Sequence, residues 1–310
     1  MSEVKSQTND RDNASDEEID LREISKVLWG GKSLIASITV LGAVISVVTS
    51  LMLTNVYRSE SILQPRDSEA LGGLSQFSGL ASMAGISLPS STGGSTVEII
   101  EIIKSRQFVK HLITFNEVLP SLVAAERYDA LSRKLIFNDE MYDQDSGTWL
   151  KGPTADKDKP SFIDAHITYT KMVEIAQDNK TGLVSINVEH ISPIFAKEFL
   201  DLIISEANGW KRNKDMTSTD EALTFLNEEL SRTPVAPIRE SINQLIESQL
   251  EKRMMAQIHE DYALTVIEPP FIPEMKFFPV RSVISILGTL GALLLSVVIV
   301  LTRNYLSEKT

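Results

Sequence analysis

Residues 33–54 read SLIASITVLGAVISVVTSLMLT, and residues 282–302 read SVISILGTLGALLLSVVIVLT. Neither stretch holds a charged side chain. A helix of about 20 residues is roughly 30 Å long, the thickness of bilayer hydrocarbon. Charge-free runs of this length predict membrane-spanning helices rather than core helices of a soluble domain. A polar, acidic segment precedes the first run, which does not match the short basic start of a cleaved signal. Leu53-Thr54-Asn55-Val56 also lacks the small-residue pattern of a cleavage site. The first run is therefore read as an uncleaved anchor.

Two spans put both termini on one side of the membrane. Arg22, Lys26 and Lys32 precede the first span, and only Arg58 and Arg66 follow closely. Lys276 and Arg281 before the second span balance Arg303 and Lys309 after it. The bias at the first span favours cytoplasmic termini, and Trp29 and Tyr57 suit the two interfaces. The expected organisation is a cytoplasmic tail (1–32), a first transmembrane helix (33–54), a periplasmic body (55–281), a second transmembrane helix (282–302) and a second cytoplasmic tail (303–310). The first part of the N-terminal tail, to about Asp16, reads as disordered.

The remaining composition excludes more than it specifies. The 310 residues carry a formal charge of −12 and no cysteine. A disulfide scaffold, a thiolate metal site and a cysteine nucleophile are excluded. The sign of the charge is wrong for a general nucleic-acid binder.

Within the body, Val56 to Leu63 reads as a strand closed by Pro65. Leu71 to Gly94, rich in Gly, Ser, Ala and Leu, reads as a buried loop or a small-residue packing surface. A helix is expected from about Ser95, with Val97, Ile100, Ile103 and Phe108 at helical spacing and Glu98 and Glu101 in its first turns. Asp143 to Lys159 reads as a surface loop. His166 to Ala176 and Leu183 to Glu189 alternate around the turn Asp178-Asn179-Lys180-Thr181-Gly182, which predicts a β-hairpin. Ser192-Pro193 caps a helix that could run to about Arg232, with Gly209 and the polar run 211–219 leaving its continuity open. Pro234 and Pro237 interrupt it. A second helix carries Ile238, Ile242, Leu245, Ile246, Gln249 and Leu250 on one stripe. His259 to Ile267 reads as a returning strand that can pair with the strand at Val56. The fold class is thus an α+β membrane protein, two transmembrane helices flanking a periplasmic α/β base with long projecting helices.

A search for chemistry finds little. Gly30-Gly31-Lys32-Ser33 resembles the end of a phosphate-binding loop, but Lys26 stands where the first glycine belongs and an apolar span follows at once. His111, His166, His190 and His259 have no partners at zinc-site spacing and read as surface residues. No Gly-x-Ser-x-Gly elbow occurs. Pro269, Pro270, Pro273 and Pro279 stiffen the approach to the second span, and Gly288 and Gly291 within it permit close helix approach.

With these features the chain resembles the Wzz-type polysaccharide co-polymerases, the chain-length determinants. Pro270, Pro273 and Pro279 match the family's proline frame. Phe278 stands where the family usually has Ser and Val280 where it has Lys, with Arg281 one residue late. Leu71–Leu88, Glu221-Ala222-Leu223, Leu245-Ile246-Glu247 and Glu260-Asp261-Tyr262-Ala263-Leu264 add to the likeness in order and spacing. The resemblance implies a non-enzymatic regulator of the modal chain length of a lipid-linked surface polysaccharide such as lipopolysaccharide O-antigen. It implies a homo-oligomer in the bacterial inner membrane, partnered by a Wzy-type polymerase, polyprenyl-diphosphate-linked glycan and membrane lipid, with no cofactor, no metal and no nucleic acid. Alternative readings are a co-polymerase for capsule or exopolysaccharide and, from another class, a two-span membrane sensor.

Overall fold

The computed structural model describes residues 27–66, 94–153 and 158–308. The disorder expected before Asp16 and the small-residue stretch Leu71–Leu88 lie outside the described residues. The chain divides into two compact units, one comprising residues 1–53 and 279–310 and the other Thr54–Phe278.

The first unit is a helical pair. Helix α1 spans Lys32–Met52 and α8 spans Arg281–Glu308. Both are long and apolar enough to cross a membrane. Their side chains are mostly exposed in the chain alone, as lipid-facing helices are.

The second unit is built on a four-stranded antiparallel sheet. Its strands are β1 (Tyr57–Pro65), β6 (Val173–Gln177), β7 (Val184–His190) and β8 (Leu264–Glu268), in the order β6-β7-β1-β8. Strand β1 lies centrally, with Ser61 opposite Ile186 and Gln64 opposite Thr265. The ends of the segment therefore meet in one sheet, as the two terminal strand motifs suggested. The β6–β7 hairpin turns through Gly182, whose φ of +74° suits a residue without Cβ.

Three short helices follow the first strand: α2 (Gly94–Lys104), α3 (Arg106–Leu112) and α4 (Val118–Val123). Two small hairpins come next. One pairs β2 (Ala125–Asp129) with β3 (Lys134–Phe137), and the other pairs β4 (Tyr142–Asp143) with β5 (Thr148–Trp149). The second falls inside the stretch expected to be loop, held by the Tyr142 and Trp149 rings 5.0 Å apart.

The largest departure from expectation is at His166. Residues 162–172 form helix α5 (Phe162–Met172), not the first half of a strand. Ser161 and Asp164 form a reciprocal capping box that satisfies two free backbone donors at the helix start. Ala165 and Tyr169, four apart, then face the core together, and the Tyr169 hydroxyl donates to Ile103 O at 3.1 Å. The apparent alternation is a short coincidence; strand geometry begins only at Val173. Likewise 259–263 is irregular, and the returning strand starts at Leu264.

Helix α6 (Pro193–Arg232) is continuous for 40 residues, roughly 60 Å at 1.5 Å per residue. The Ser192 hydroxyl accepts from Phe195 N–H at its start. Helix α7 (Ala236–Ile258) returns beside it after the Pro234 break. One buried stripe runs along α6. Its first half is apolar (Ala196, Phe199, Leu200, Ile203, Ala207) and packs on the sheet. Its second half is polar (Asn208, Lys211, Asp215, Thr219) before Leu223 closes it. Gly209 lies within this helix at a cost of about 1 kcal/mol relative to Ala.

Candidate functional site

The sequence singled out the proline segment and the paired spans, and the structure adds the polar half of α6.

Pro270 and Pro273 are buried in the body, Pro269 is exposed, and Pro279, also buried, precedes the second span. At and just beyond the last rung of β8 the segment is tied to β1 by side chains. Ser61 Oγ donates to Glu268 O at 2.7 Å, and Ser59 Oγ donates to Phe271 O at 2.8 Å. Both serines are fully buried, and each hydroxyl finds a backbone carbonyl as its acceptor. Further on, Val56 N–H donates to Phe278 O and Phe277 N–H to Val56 O, both at 2.8 Å. The Arg58 guanidinium lies 3.7 Å from the Phe277 ring centroid and is held from behind by Glu189. Rigid rings and fixed φ values thus give the segment one course along the body.

The helical pair has a small-residue seam. A Cβ on Gly288 would overlap Ser46, and one on Gly42 would overlap Ala292 Cβ. A Cβ on Gly31 would lie 2.6 Å from Val300 Cγ1. The paired numbers rise on one helix as they fall on the other, so the helices are antiparallel. Ser46 Oγ donates to Ile284 O at 3.0 Å across the seam. Such contacts replace the hydrophobic driving force that lipid removes. Gly291 lies outside this seam: a Cβ there has open space within 4 Å. The glycines read from the second span thus separate, and Gly31 and Gly42 join the seam. Gly42 faces a small residue of α8, Ala292, whereas Gly31, which caps α1, faces the branched Val300. Neither pairing could be read without the register between the helices.

The polar half of α6 is a charged junction. Lys211 Nζ lies 2.9 Å from both Glu98 Oε2 on α2 and Asp215 Oδ1 one turn along. Lys214 reaches Glu98 at 2.7 Å, and Lys252 on α7 reaches Asp215 at 3.4 Å. The Tyr262 hydroxyl donates to Asp215 Oδ2 at 2.9 Å. Burial alone would draw the Lys211 ammonium down, but the bonds to Glu98 and Asp215 outweigh it and hold the group above the usual lysine range. The bond from Lys214, followed by those from Lys211, keeps Glu98 below the ordinary carboxylate range despite partial burial. Burial, then the Asp215 charge, pushes the Tyr262 phenol up. One turn earlier, buried Asn208 accepts from Ala263 N–H and Leu264 N–H at 2.8 Å and donates to Leu264 O at 3.0 Å. The Tyr262-Ala263-Leu264 motif is therefore the place where the returning chain clips onto α6.

The histidines serve structure. His190 is buried, not on the surface as its sequence setting suggested. Its Nδ1 accepts from Ser192 N–H and its Nε2–H donates to Ser121 O at 3.1 Å, which fixes the tautomer. Burial pushes its value down to about 4. His111 Nε2 lies 2.6 Å from Glu206 Oε2, and His166 Nε2 donates to Lys104 O. Among the described residues no three His, Asp or Glu side chains gather as a metal site.

Comparison with known proteins gives a partial likeness. Residues 17–114 match the model of the chain length determinant proteins, Wzz. The match covers about a third of the chain. The matched residues take in the first apolar helix, β1, α2 and α3. No curated protein matches the sequence. Among solved structures, one described as a full-length bacterial polysaccharide co-polymerase is similar at 12% identity and a TM-score of 0.40, covering 94% of this chain and 98% of its own. A fragment of WzzB, a polysaccharide co-polymerase from Salmonella Typhimurium, is similar at 12% identity and a TM-score of 0.30, covering 72% of this chain and 100% of its own.

Proposed function

We infer that this chain sets the modal length of a lipid-linked surface polysaccharide, lipopolysaccharide O-antigen, and does so as a scaffold without a catalytic step. The observation that carries this reading is the Wzz match over residues 17–114 in a chain with an apolar, membrane-length helix near each end. In this reading the protein is a two-pass protein of the bacterial inner membrane. Residues 1–32 and 303–310 are cytoplasmic and 55–281 periplasmic, an orientation supported by Arg22, Lys26 and Lys32 ahead of the first span. It works as a homo-oligomer beside a Wzy-type polymerase that extends glycan on polyprenyl diphosphate. The proline segment (Pro269, Pro270, Pro273, Pro279) then serves to fix where the body ends and the second span begins.

Deletion of the gene tests the reading. The lipopolysaccharide ladder should change from a modal cluster to a continuous decay while polymer is still made. An unchanged ladder refutes the role, and loss of polymer altogether refutes the non-catalytic part of it.

A further inference from the structure

The geometry points to a glycan-binding groove on α6, centred on Gly209, which holds a short run of neutral or zwitterionic sugar residues. The inference rests on the length-control reading for the identity of the sugar, and on the groove itself for the site.

The groove has a volume of about 750 Å³, within the range of small-ligand sites. Trp210 and His111 line it. Trp210 is half-buried, and its indole is braced edge-to-face by Phe108 and His111, with centroids 6.0 and 5.5 Å away. His111 is itself pinned by Glu206. The aromatic surface is thus locked before any ligand arrives, which lowers the cost of binding. An aromatic wall with an apolar face and polar neighbours suits a pyranose, which presents C–H groups on one face and hydroxyls around its edge.

The rest of the lining supplies hydrogen bonds without a net field. Arg212 and Lys214 are offset by Glu206 and Glu221. Ser218 adds a hydroxyl, and Thr217, whose hydroxyl donates to Asn213 O at 3.0 Å, adds an acceptor. This balance disfavours a polyanion and suits a polyhydroxylated ligand of low net charge.

Gly209 completes the site. It weakens the middle of a 40-residue helix, yet no atom comes within 4 Å of the Cβ it lacks. Close packing within this chain therefore does not account for it. What its missing side chain leaves open is the groove.

The same fact supplies a clean test. Gly209→Leu adds a good helix former in open space, so it fills the groove without threatening the fold. The intact protein in lipid nanodiscs, carrying Trp29→Phe and Trp149→Phe, leaves Trp210 as its sole tryptophan. The probe is the short oligosaccharide fraction released by mild acid from the host strain's own lipopolysaccharide. Trp210 emission should shift saturably on titration, and Gly209→Leu should weaken the apparent affinity at least tenfold. In cells, the same variant should lose modal length while accumulating in the membrane normally. No change of Trp210 emission at millimolar oligosaccharide, or an unaltered titration in Gly209→Leu, overturns the proposal. A smaller particle mass for Gly209→Leu with unchanged sugar binding also overturns it and makes the groove a contact between copies. If gene deletion alters the ladder and Gly209→Leu does not, the groove fails while the length-control reading stands. If deletion leaves the ladder unchanged, that reading fails and the titration alone decides the groove.

Discussion

His190 is neutral in the folded chain because both ring nitrogens are committed, one accepting from Ser192 N–H and one donating to Ser121 O. Its folded value is about 4, whereas the unfolded side chain takes a proton near about 6.5. Below that value the unfolded state binds more protons than the folded one, so stability falls as pH falls. The contribution is full above about 6.5 and is lost progressively down to about 4, a total of about 3 kcal/mol. Melting temperature measured across this window should decline, and His190→Gln should flatten the decline while lowering stability at neutral pH. A second residue-scale prediction concerns Lys211. Removing its charge by Lys211→Met leaves Glu98 with Lys214 and Asp215 with Lys252 and Tyr262, so the cost is that of lost charge-assisted hydrogen bonds, about 1–3 kcal/mol. Denaturant unfolding should show this loss. The double variant Lys211→Met/Glu98→Gln should recover part of it, because the only cation it leaves short of a partner, Lys214, is exposed to solvent. Neither role was legible in the sequence. His190 ends a strand and Lys211 sits in a polar run, and only the tertiary neighbours reveal that both are buried.

Elements with a clear period were legible and those with a mixed face were not. The two spans follow from unbroken apolar runs, and the β6–β7 hairpin follows from its turn residues. Helix α6 was ambiguous because its buried stripe changes chemistry at Asn208, from apolar side chains on the sheet to a charged junction with α2 and α7. Helical periodicity persists, but hydrophobicity stops reporting it. Helix α5 was misread because Ser161 and Asp164, which start it, lie ahead of the alternating stretch. In the helical pair the register decides which glycine matters. Gly288→Leu would drive a side chain into Ser46, whereas Gly291→Leu meets open space. The first should therefore lower the unfolding temperature of the detergent-extracted protein, with the second unchanged. The absence of native cysteine allows a direct check. Gly31→Cys with Val300→Cys, whose Cβ atoms would lie 3.4 Å apart, should cross-link under mild oxidation, and Gly31→Cys with Gly291→Cys should not.

At the scale of the whole molecule, the body closes on itself. Strand β1, the first element after α1, is one of the two inner strands of the sheet, paired on one side with β7 and on the other with β8, the last strand before α8. The chain enters and leaves at Val56 and Phe278, which bond to each other. A cut just outside this pair breaks no hydrogen bond described within the body. Residues 54–278 expressed alone should therefore fold, with a single cooperative thermal transition by circular dichroism. Shortening the same piece to end at Ala263 removes β8 and the proline segment. It strips the partner from one edge of β1, frees the buried Ser59 and Ser61 hydroxyls, and deprives Asn208 of both Leu264 bonds. Each buried polar group left unpaired costs about 1–3 kcal/mol, so the losses together approach the whole stability of a typical domain, about 5–15 kcal/mol. The shortened piece should show no cooperative melt. A cooperative melt at the parent temperature would mean that the sheet does not depend on joining the two ends of the body.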